Sequence, residues 1–441
     1  MTGDEFAARL VHAGLDPVEG PAKAALYELA VQALAPTGSA IHTWWVPGRL
    51  EVFGKHTDYA GGRTLVAAVP RGFVFASTPR GDDAIVVIDA TSGEQVCLGA
   101  VSVQLTGWRR YVDVVAVRLR RNFPDSSGGL TIAFASDLPR ASGMSSSSAL
   151  VVGVAMALIE GWRLSTREDW RRDIGDLCDL ASYLACVENG SAFRSLVGDA
   201  GVGTHGGSED HIAMLLGIPG QLSAYAFAPA RHLRSVPLPS QWGVVITSSG
   251  VKAEKTGGVQ GAYNELAEAA GQLLRLWNQS EPQANSLGAA LASSDSAADR
   301  LERLVERSSV PGWPAEHLLR RLRHFQQEDA SVLEAARAFE NGDAVTLGEL
   351  AQRSQWNAEH LLRQQVPETS MLAAEARSCG ALAACSFGAG FGGSVWAVVH
   401  REHADQFASE WIARYRRHYD VPRAVAFVAT PGPPVTLIRS R

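Results

Sequence analysis

Apolar positions follow helical spacing in some parts of the chain and strand-like runs in others. Residues 4–35 carry apolar side chains at helical spacing, and Pro36, Thr37 and Gly38 end that segment. Between 39 and 140 the pattern changes to short β-rich runs, at 73–77, 84–89 and 130–136. Helical patterns return at 146–161, 170–188 and 209–216, and a glycine-rich loop at 189–208 precedes the last of them.

The segment GIPG at 217–220 predicts a junction between two large domains, residues 1–218 and 219–441. Beyond it, strands are predicted at 244–249, at the apolar run that follows 393, and at 423–429. The helical patterns of this half lie at 259–278, 283–293, 297–307, 315–341, 343–364 and 401–417.

Composition narrows the class of protein. Of 441 residues, 46% are hydrophobic and 20% are charged, which is typical of a globular chain, and the net charge of -6 argues against nucleic acid as a main partner. The five cysteines form no C-x-x-C pair and predict reduced thiols. The first residues do not resemble a signal peptide, and no apolar run reaches the ~18 residues of a membrane span, so we expect a cytoplasmic protein without a membrane partner.

Three segments carry candidate chemistry. In PGRLEVFGKHTDYAGG, residues 47–62, cations, an imidazole and a carboxylate crowd one turn, where they could hydrogen-bond a polyol; a solvated polar turn is the alternative. In PRASGMSSSSAL, residues 139–150, small residues precede a helix whose N-terminus would favour phosphate, although many such turns are ordinary caps. In FGAGFGGS, residues 387–394, four glycines indicate backbone packed very close to a neighbour, unless the segment is only a flexible turn.

Taken together, the three segments resemble motifs of the GHMP kinases, and the first resembles the galactokinase signature. They occur in the family's order and span most of the chain. The resemblance implies an α+β fold of two domains with the active site in the cleft between them. It also implies ATP and Mg²⁺ as cofactors, and a sugar or cyclitol as the small-molecule substrate.

The resemblance also implies site residues. Asp210 in GGSEDH would be the catalytic base, and Arg49 would keep it ionised and stabilise the transferring phosphoryl group. Glu188 and Ser146 would hold Mg²⁺. The predicted substrate contacts are Lys55, His56, Asp58, Gly207, Lys252 and Tyr263. The predicted ATP contacts are Trp108, Gly143, Ser145, Ser146, Ser147, Gly390 and Gly392, with a place in the core as an equal alternative for Trp108.

One position departs from the family pattern. Galactokinases have G-E-H-T-D-Y, whereas this chain has G-K-H-T-D-Y, so that a lysine stands where the family has a glutamate that contacts a sugar hydroxyl. An ammonium at Lys55 predicts an anionic acceptor, such as a uronic acid or a phosphorylated sugar or cyclitol. A true galactokinase, a catalytically inactive sugar sensor and a mevalonate or homoserine kinase remain alternatives.

Overall fold

The computed structural model describes residues 1–34, 40–98, 105–251 and 259–439. Within them, the chain folds into two β-sheets surrounded by helices. The first half has helices α1 to α7, at Gly3–His12, Gly20–Gln32, Trp108–Asn122, Ser146–Gly161, Glu168–Asp173, Leu177–Asn189 and Glu209–Leu216. The second half has α8 to α14, at Gln260–Ser280, Leu287–Leu291, Ala297–Arg307, Ala315–Asn341, Ala344–Asn357, Pro367–Ser378 and Ala404–His418.

The strands β1 to β12 form a mixed, mainly antiparallel sheet and a smaller antiparallel sheet. They run at His42–Phe53, Arg63–Pro79, Ile85–Asp89, Gln95–Leu98, Leu130–Ser136, Gln221–Ala226, Arg231–Pro237, Trp242–Ser248, Ala383–Phe387, Ser394–His400, Val425–Val428 and Thr436–Arg439. The larger sheet has the order β12-β1-β2-β5-β3-β4, with β6 paired to β2 and β7 to β6. The smaller sheet has the order β11-β8-β10-β9. The expected α+β class is confirmed.

The sheets do not divide at the predicted junction between 218 and 219. Strands β6 and β7 come after that point, yet β6 pairs with the first residues of β2, Arg63 to Val66, and β7 pairs with β6. Strand β12 returns from the end of the described chain to pair with β1. Pairing partners that lie so far apart in sequence leave no local signal at the junction, and the glycines of GIPG mark only a turn into β6.

Helix α4 is the central helix of the first half, and eleven of its sixteen residues are buried. It packs on α3, α6, β1 and β2, so apolar residues occupy every face rather than one stripe. Gly153 permits the close approach to the sheet, since a Cβ there would lie 2.0 Å from the ring of Phe75. This packing fixes the N-terminus of α4 beside β1. No helix in the described ranges is long and apolar enough to cross a membrane.

Candidate active site

Arg49 enters the site from an irregular part of β1. The register between β1 and β2 shifts between Pro47 and Arg49 and again between Glu51 and Phe53. Such irregularities often re-aim side chains beside active sites. Because Arg49 and Glu51 are two positions apart on a strand, both side chains point to the same face. Both line one cleft.

The guanidinium of Arg49 joins the first predicted motif to the other two parts of the site. Its Nε donates to Oδ1 of Asp210 at 2.6 Å, and its Nη1 and Nη2 donate to the Gly143 carbonyl and the Ser145 hydroxyl, each at 3.0 Å. Although burial alone lowers the pKa of Arg49, the carboxylates of Asp210, Glu209 and Glu51 raise it. The predicted pairing of Arg49 with Asp210 is therefore present, and the group is a fixed cation.

The serine-rich and glycine-rich segments pack directly on each other. Gly143 and Gly388 both have positive φ, and a Cβ on Gly388 would lie 2.7 Å from the Gly143 carbonyl oxygen. The hydroxyl of Ser394 donates to the Ser142 carbonyl at 2.6 Å. The close approach expected of the glycines in 387–394 is present, and it joins the smaller sheet to the N-terminus of α4.

The turn after β1 places two more predicted residues in the cleft. The ring of His56 hydrogen-bonds Tyr59 at 2.9 Å and lies 5.5 Å from the ring of Tyr263. A carboxylate oxygen of Asp58 accepts the backbone N–H of Glu209 at 3.1 Å. Gly207 permits this contact, since a Cβ there would lie 2.2 Å from Asp58 Oδ2. His56, Asp58, Gly207 and Tyr263 all line the cleft that contains Arg49 and Asp210.

Glu188 lies at the end of α6 and faces the first turn of α4. Its Oε2 accepts the hydroxyl of Ser148 at 2.9 Å, and the same hydroxyl lies 3.3 Å from Asp210 Oδ2. His211 Nε2 is 3.3 Å from the same carboxylate oxygen of Glu188. The structure thus brings Ser148, which the sequence did not single out, onto the predicted metal ligand. Among the described residues, no group of three or more His, Cys, Asp or Glu side chains is arranged to hold a metal.

Lys55 is not in the cleft, so its predicted substrate contact is wrong. The side chain is fully buried, with Nζ 2.7 Å from the Ser354 hydroxyl, 3.2 Å from Cys385 Sγ and 3.6 Å from Glu328 Oε1. Burial alone would lower the pKa of Lys55, but Cys385, Glu328 and Glu51 raise it. The ammonium turns towards α11 because that helix supplies a fully buried carboxylate to pair with it.

Several predicted residues lie elsewhere or are not described. Lys252 falls outside the described residues. Trp108 begins α3, donates its indole N–H to Glu94 at 3.2 Å and packs edge-on against Phe134, away from the cleft that holds Asp210. Gly390 packs on Gln364 and Gly392 on Val251. ATP contacts at Trp108, Gly143, Gly390, Gly392, Ser145, Ser146 and Ser147 stay predictions.

Two buried acids in the cleft were missed, Glu51 and Glu209. Their side chains are 3% and 7% exposed, and Glu209 Oε1 lies 3.2 Å from Arg49 Nε. Burial raises the pKa of Glu51 to about 7, against the opposing effect of Arg49 and Lys55. Burial and the nearby Glu51 raise the pKa of Glu209 well above its usual value. The alternation of side chains along β1 was the available signal for Glu51, because it places that residue beside Arg49.

The raised pKa of Glu51 predicts a pH-dependent stability. Glu51 binds its proton more tightly in the folded protein than in the unfolded chain. Its contribution to the free energy of unfolding is therefore full below pH 4.5 and is lost as the pH rises towards about 7. We therefore expect the stabilisation of Glu51→Gln relative to the wild type to be under about 1 kcal/mol at pH 5 and on the order of 3 kcal/mol at pH 8. Thermal melts at both pH values test this. The surface variant Glu349→Gln is the control, and parallel curves for wild type and Glu51→Gln would contradict the prediction.

Comparison with known families agrees with this geometry. The chain matches the galactokinase galactose-binding signature over residues 36–79, the GHMP kinase N-terminal domain over 110–192 and the GHMP kinase C-terminal domain over 335–417. These matches cover the turn after β1, helices α4 and α6, and the strands that carry the glycine-rich segment.

Relatives and folds point the same way. The chain is 27% identical over 374 residues to a galactokinase of Roseiflexus sp., covering 84% of this chain and 86% of that protein. It is 28% identical over 396 residues to one of Mycobacterium bovis, covering 88% and 98%. The fold is similar to that of Lactococcus lactis galactokinase complexed with galactose, with a TM-score of 0.76 at 23% identity over 93% of this chain and 98% of that one.

The fold is also similar, more distantly, to that of a mevalonate kinase. The Methanococcus jannaschii mevalonate kinase shares the fold with a TM-score of 0.55 at 14% identity, over 90% of this chain and 99% of that one. The galactose-binding signature and the galactokinase relatives favour the sugar kinases within the GHMP kinase group. The chain is accordingly a galactokinase-like member of the GHMP kinase family and an ATP-dependent sugar kinase.

Proposed function

We propose that this kinase transfers the γ-phosphoryl group of ATP to a hydroxyl of galactose or of a sugar with the same shape. The galactose-binding signature and the relatives named galactokinase support the sugar. The observation that carries the proposal is the buried pair of Arg49 and Asp210, which lies between the turn after β1 and the N-terminus of α4. An acid, a fixed cation and a helix N-terminus meet there.

Asp210 is the proposed acceptor of the hydroxyl proton. Arg49 donates to its Oδ1 at 2.6 Å, and the Ser148 hydroxyl donates to its Oδ2 at 3.3 Å. The Asp210 carboxylate lines the cleft, and we propose that it orients the acceptor hydroxyl and takes its proton. Since phosphoryl transfer needs little covalent help, this positioning and the charge on Arg49 account for most of what the chain contributes.

Glu188 and the serines of α4 are the proposed Mg²⁺ ligands. Carboxylate and hydroxyl oxygens are the hard donors that Mg²⁺ prefers, and Glu188 with Ser148 or Ser146 supplies them next to Asp210. One or two protein ligands suit an ion bound largely by phosphate oxygens. When bound, Mg²⁺ would neutralise charge on the transferring phosphate.

We expect Glu188→Gln to raise the Mg²⁺ concentration needed for half-maximal activity by about tenfold or more. The amide keeps the shape of the side chain but removes the charge that attracts the ion. Titration of Mg²⁺ at fixed ATP measures the shift, with Glu349→Gln as a matched surface control. Comparing Ser146→Ala with Ser148→Ala identifies the serine. An unchanged Mg²⁺ dependence in Glu188→Gln would remove Glu188 from the metal site.

The anionic acceptor has lost its main support, because the ammonium of Lys55 is paired in the core. An inactive sugar sensor is disfavoured, since Arg49, Asp210 and Glu188 are all in place. The test is ATP turnover by the purified chain with Mg²⁺ and a panel of galactose, glucose and galacturonate. We expect galactose to be used well and galacturonate poorly. Failure to phosphorylate any galactose-shaped sugar would contradict the proposal.

A further inference from the structure

The acceptor end of the cleft contains more carboxylates than phosphoryl transfer requires. Asp210 and Glu188 have roles in the proposed reaction, but Glu51 and Glu209 have none. Both are buried, and both line the same cleft. Burying a carboxylate is costly unless a cation or several donors offset the loss of water. The burial of Glu51 and Glu209 in this cleft therefore indicates that a further group compensates their charge.

One oxygen of Glu51 has no hydrogen-bond partner in the described part of the chain. Its Oε2 accepts the Gly388 N–H at 2.7 Å, whereas Oε1 is buried and makes no hydrogen bond to any described residue. A buried carboxylate oxygen without a donor is unfavourable. Because Glu51 lines the cleft, a bound molecule that supplies a donor would satisfy this oxygen.

His211 gives a second, independent sign of a ligand. It is 1% exposed, lines the same cleft, and neither of its ring nitrogens makes a hydrogen bond within the described ranges. The Glu188 carboxylate lies beside it, with His211 Nε2 3.3 Å from Glu188 Oε2. In its neutral form the ring has one nitrogen that accepts, so it too could pair with a donor on a bound molecule.

The positive charge at this end is too small for the acids around it. Among the described residues that line the cleft, Arg49 is the only Lys or Arg. Its guanidinium pairs with Asp210 and also lies 3.2 Å from a carboxylate oxygen of Glu209 and 4.0 Å from one of Glu51. Three ionised carboxylates would share this one guanidinium, and a further cation, the core ammonium of Lys55, affects Glu51 but is paired with Glu328. The raised pKa values of Glu51 and Glu209 are consistent with that excess.

We propose that the preferred acceptor is an amino sugar of galactose shape, whose protonated amine is bound by Glu51 and Glu209. This rests on the proposed function and narrows its substrate. An ammonium has three donors and a full positive charge, so it satisfies the unpartnered oxygen of Glu51 and offsets the excess of carboxylates together. A hydroxyl offers one donor and no charge, and an anionic acceptor would be repelled.

The first experiment measures kcat/KM with MgATP for galactose and for its 2-, 3-, 4- and 6-amino-deoxy analogues, at a pH that keeps the amine protonated. N-acetylated analogues serve as neutral controls. We expect at least one amine to exceed galactose by about tenfold or more, as charge-assisted contacts allow. The matching N-acetyl sugar should lose that advantage. If galactose is used and no amine surpasses it, the amino-sugar proposal is refuted while the sugar-kinase function stands.

The second experiment assigns the preference to residues. In Glu51→Gln and Glu209→Gln the ratio of kcat/KM for the amine over galactose should fall about tenfold, because each change removes a charge and keeps the shape. Galactose is the internal reference, so a general loss of activity does not affect the ratio. Glu51→Asp should keep part of the preference, and Glu349→Gln should keep all of it. An unchanged ratio in both glutamine variants would overturn the assignment.

Discussion

Changing Asp210 to asparagine is expected to lower kcat for sugar phosphorylation by roughly 10²–10⁴-fold. The amide cannot take the hydroxyl proton, and it loses the charge that attracts Arg49, whose Nε donates to the Asp210 carboxylate at 2.6 Å in the wild type. The nucleotide should still bind, because the Gly143 carbonyl and the Ser145 hydroxyl contact Arg49 without Asp210.

Steady-state kinetics and calorimetric titration with a non-hydrolysable ATP analogue separate these two effects. The control is Asp405→Asn, which makes the same change on the exposed face of α14. If Asp210→Asn turned sugar over at nearly the wild-type rate, Asp210 would not be the base, and the role of the Arg49 pair would need another explanation.

Changing Lys55 to glutamate should destabilise the protein by about 3–5 kcal/mol, even though it restores the galactokinase sequence at that position. The new carboxylate would lie against Glu328, which is also fully buried and already accepts the N–H groups of Gly54 and Lys55. Two like charges would then share a site without water.

Thermal unfolding tests this, and a drop in melting temperature of roughly 3–5 °C is expected. Lys55→Met should cost less, because it removes the ammonium without adding a charge, and Lys55→Met with Glu328→Gln should recover part of the loss. The galacturonate-to-galactose ratio should not change in Lys55→Met. A marked fall in that ratio would return Lys55 to the substrate site.

Local patterns predicted the elements that bury one consistent set of side chains. The prediction of 130–136 and 146–161 coincides with β5 and α4, because both are apolar runs with clear boundaries. Helix α3 was not predicted, although Val112, Val115 and Leu119 are buried at helical spacing. The predicted helix over 4–35 is two helices, α1 and α2. Glycine at position 14 has φ of +105°, which ends the first of them.

The sequence predicted the site residues that belong to recognisable motifs. It did not predict contacts that depend on residues far away in the sequence. Arg49 and Asp210 meet as the resemblance implied, across 161 residues of sequence. The direction of Lys55 depends on Glu328, 273 residues away on α11, and nothing near Lys55 indicates that acid. The charge of Lys55 therefore predicted an anionic partner. It did not indicate whether that partner was a bound substrate or a buried residue of the protein.

Strand β1 has an edge that is completed late. Its residues His42 to Trp45 pair with Arg439 to Thr436, and the hydroxyl of Thr43 donates to the Ile438 carbonyl at 2.6 Å, across 395 residues. During synthesis, the strand that carries Arg49 has one unpaired edge until β12 leaves the ribosome. An open edge with free N–H and C=O groups can pair with other chains. For a nascent chain of this kinase, the hazard lies in the interval between making its arginine strand and covering that edge.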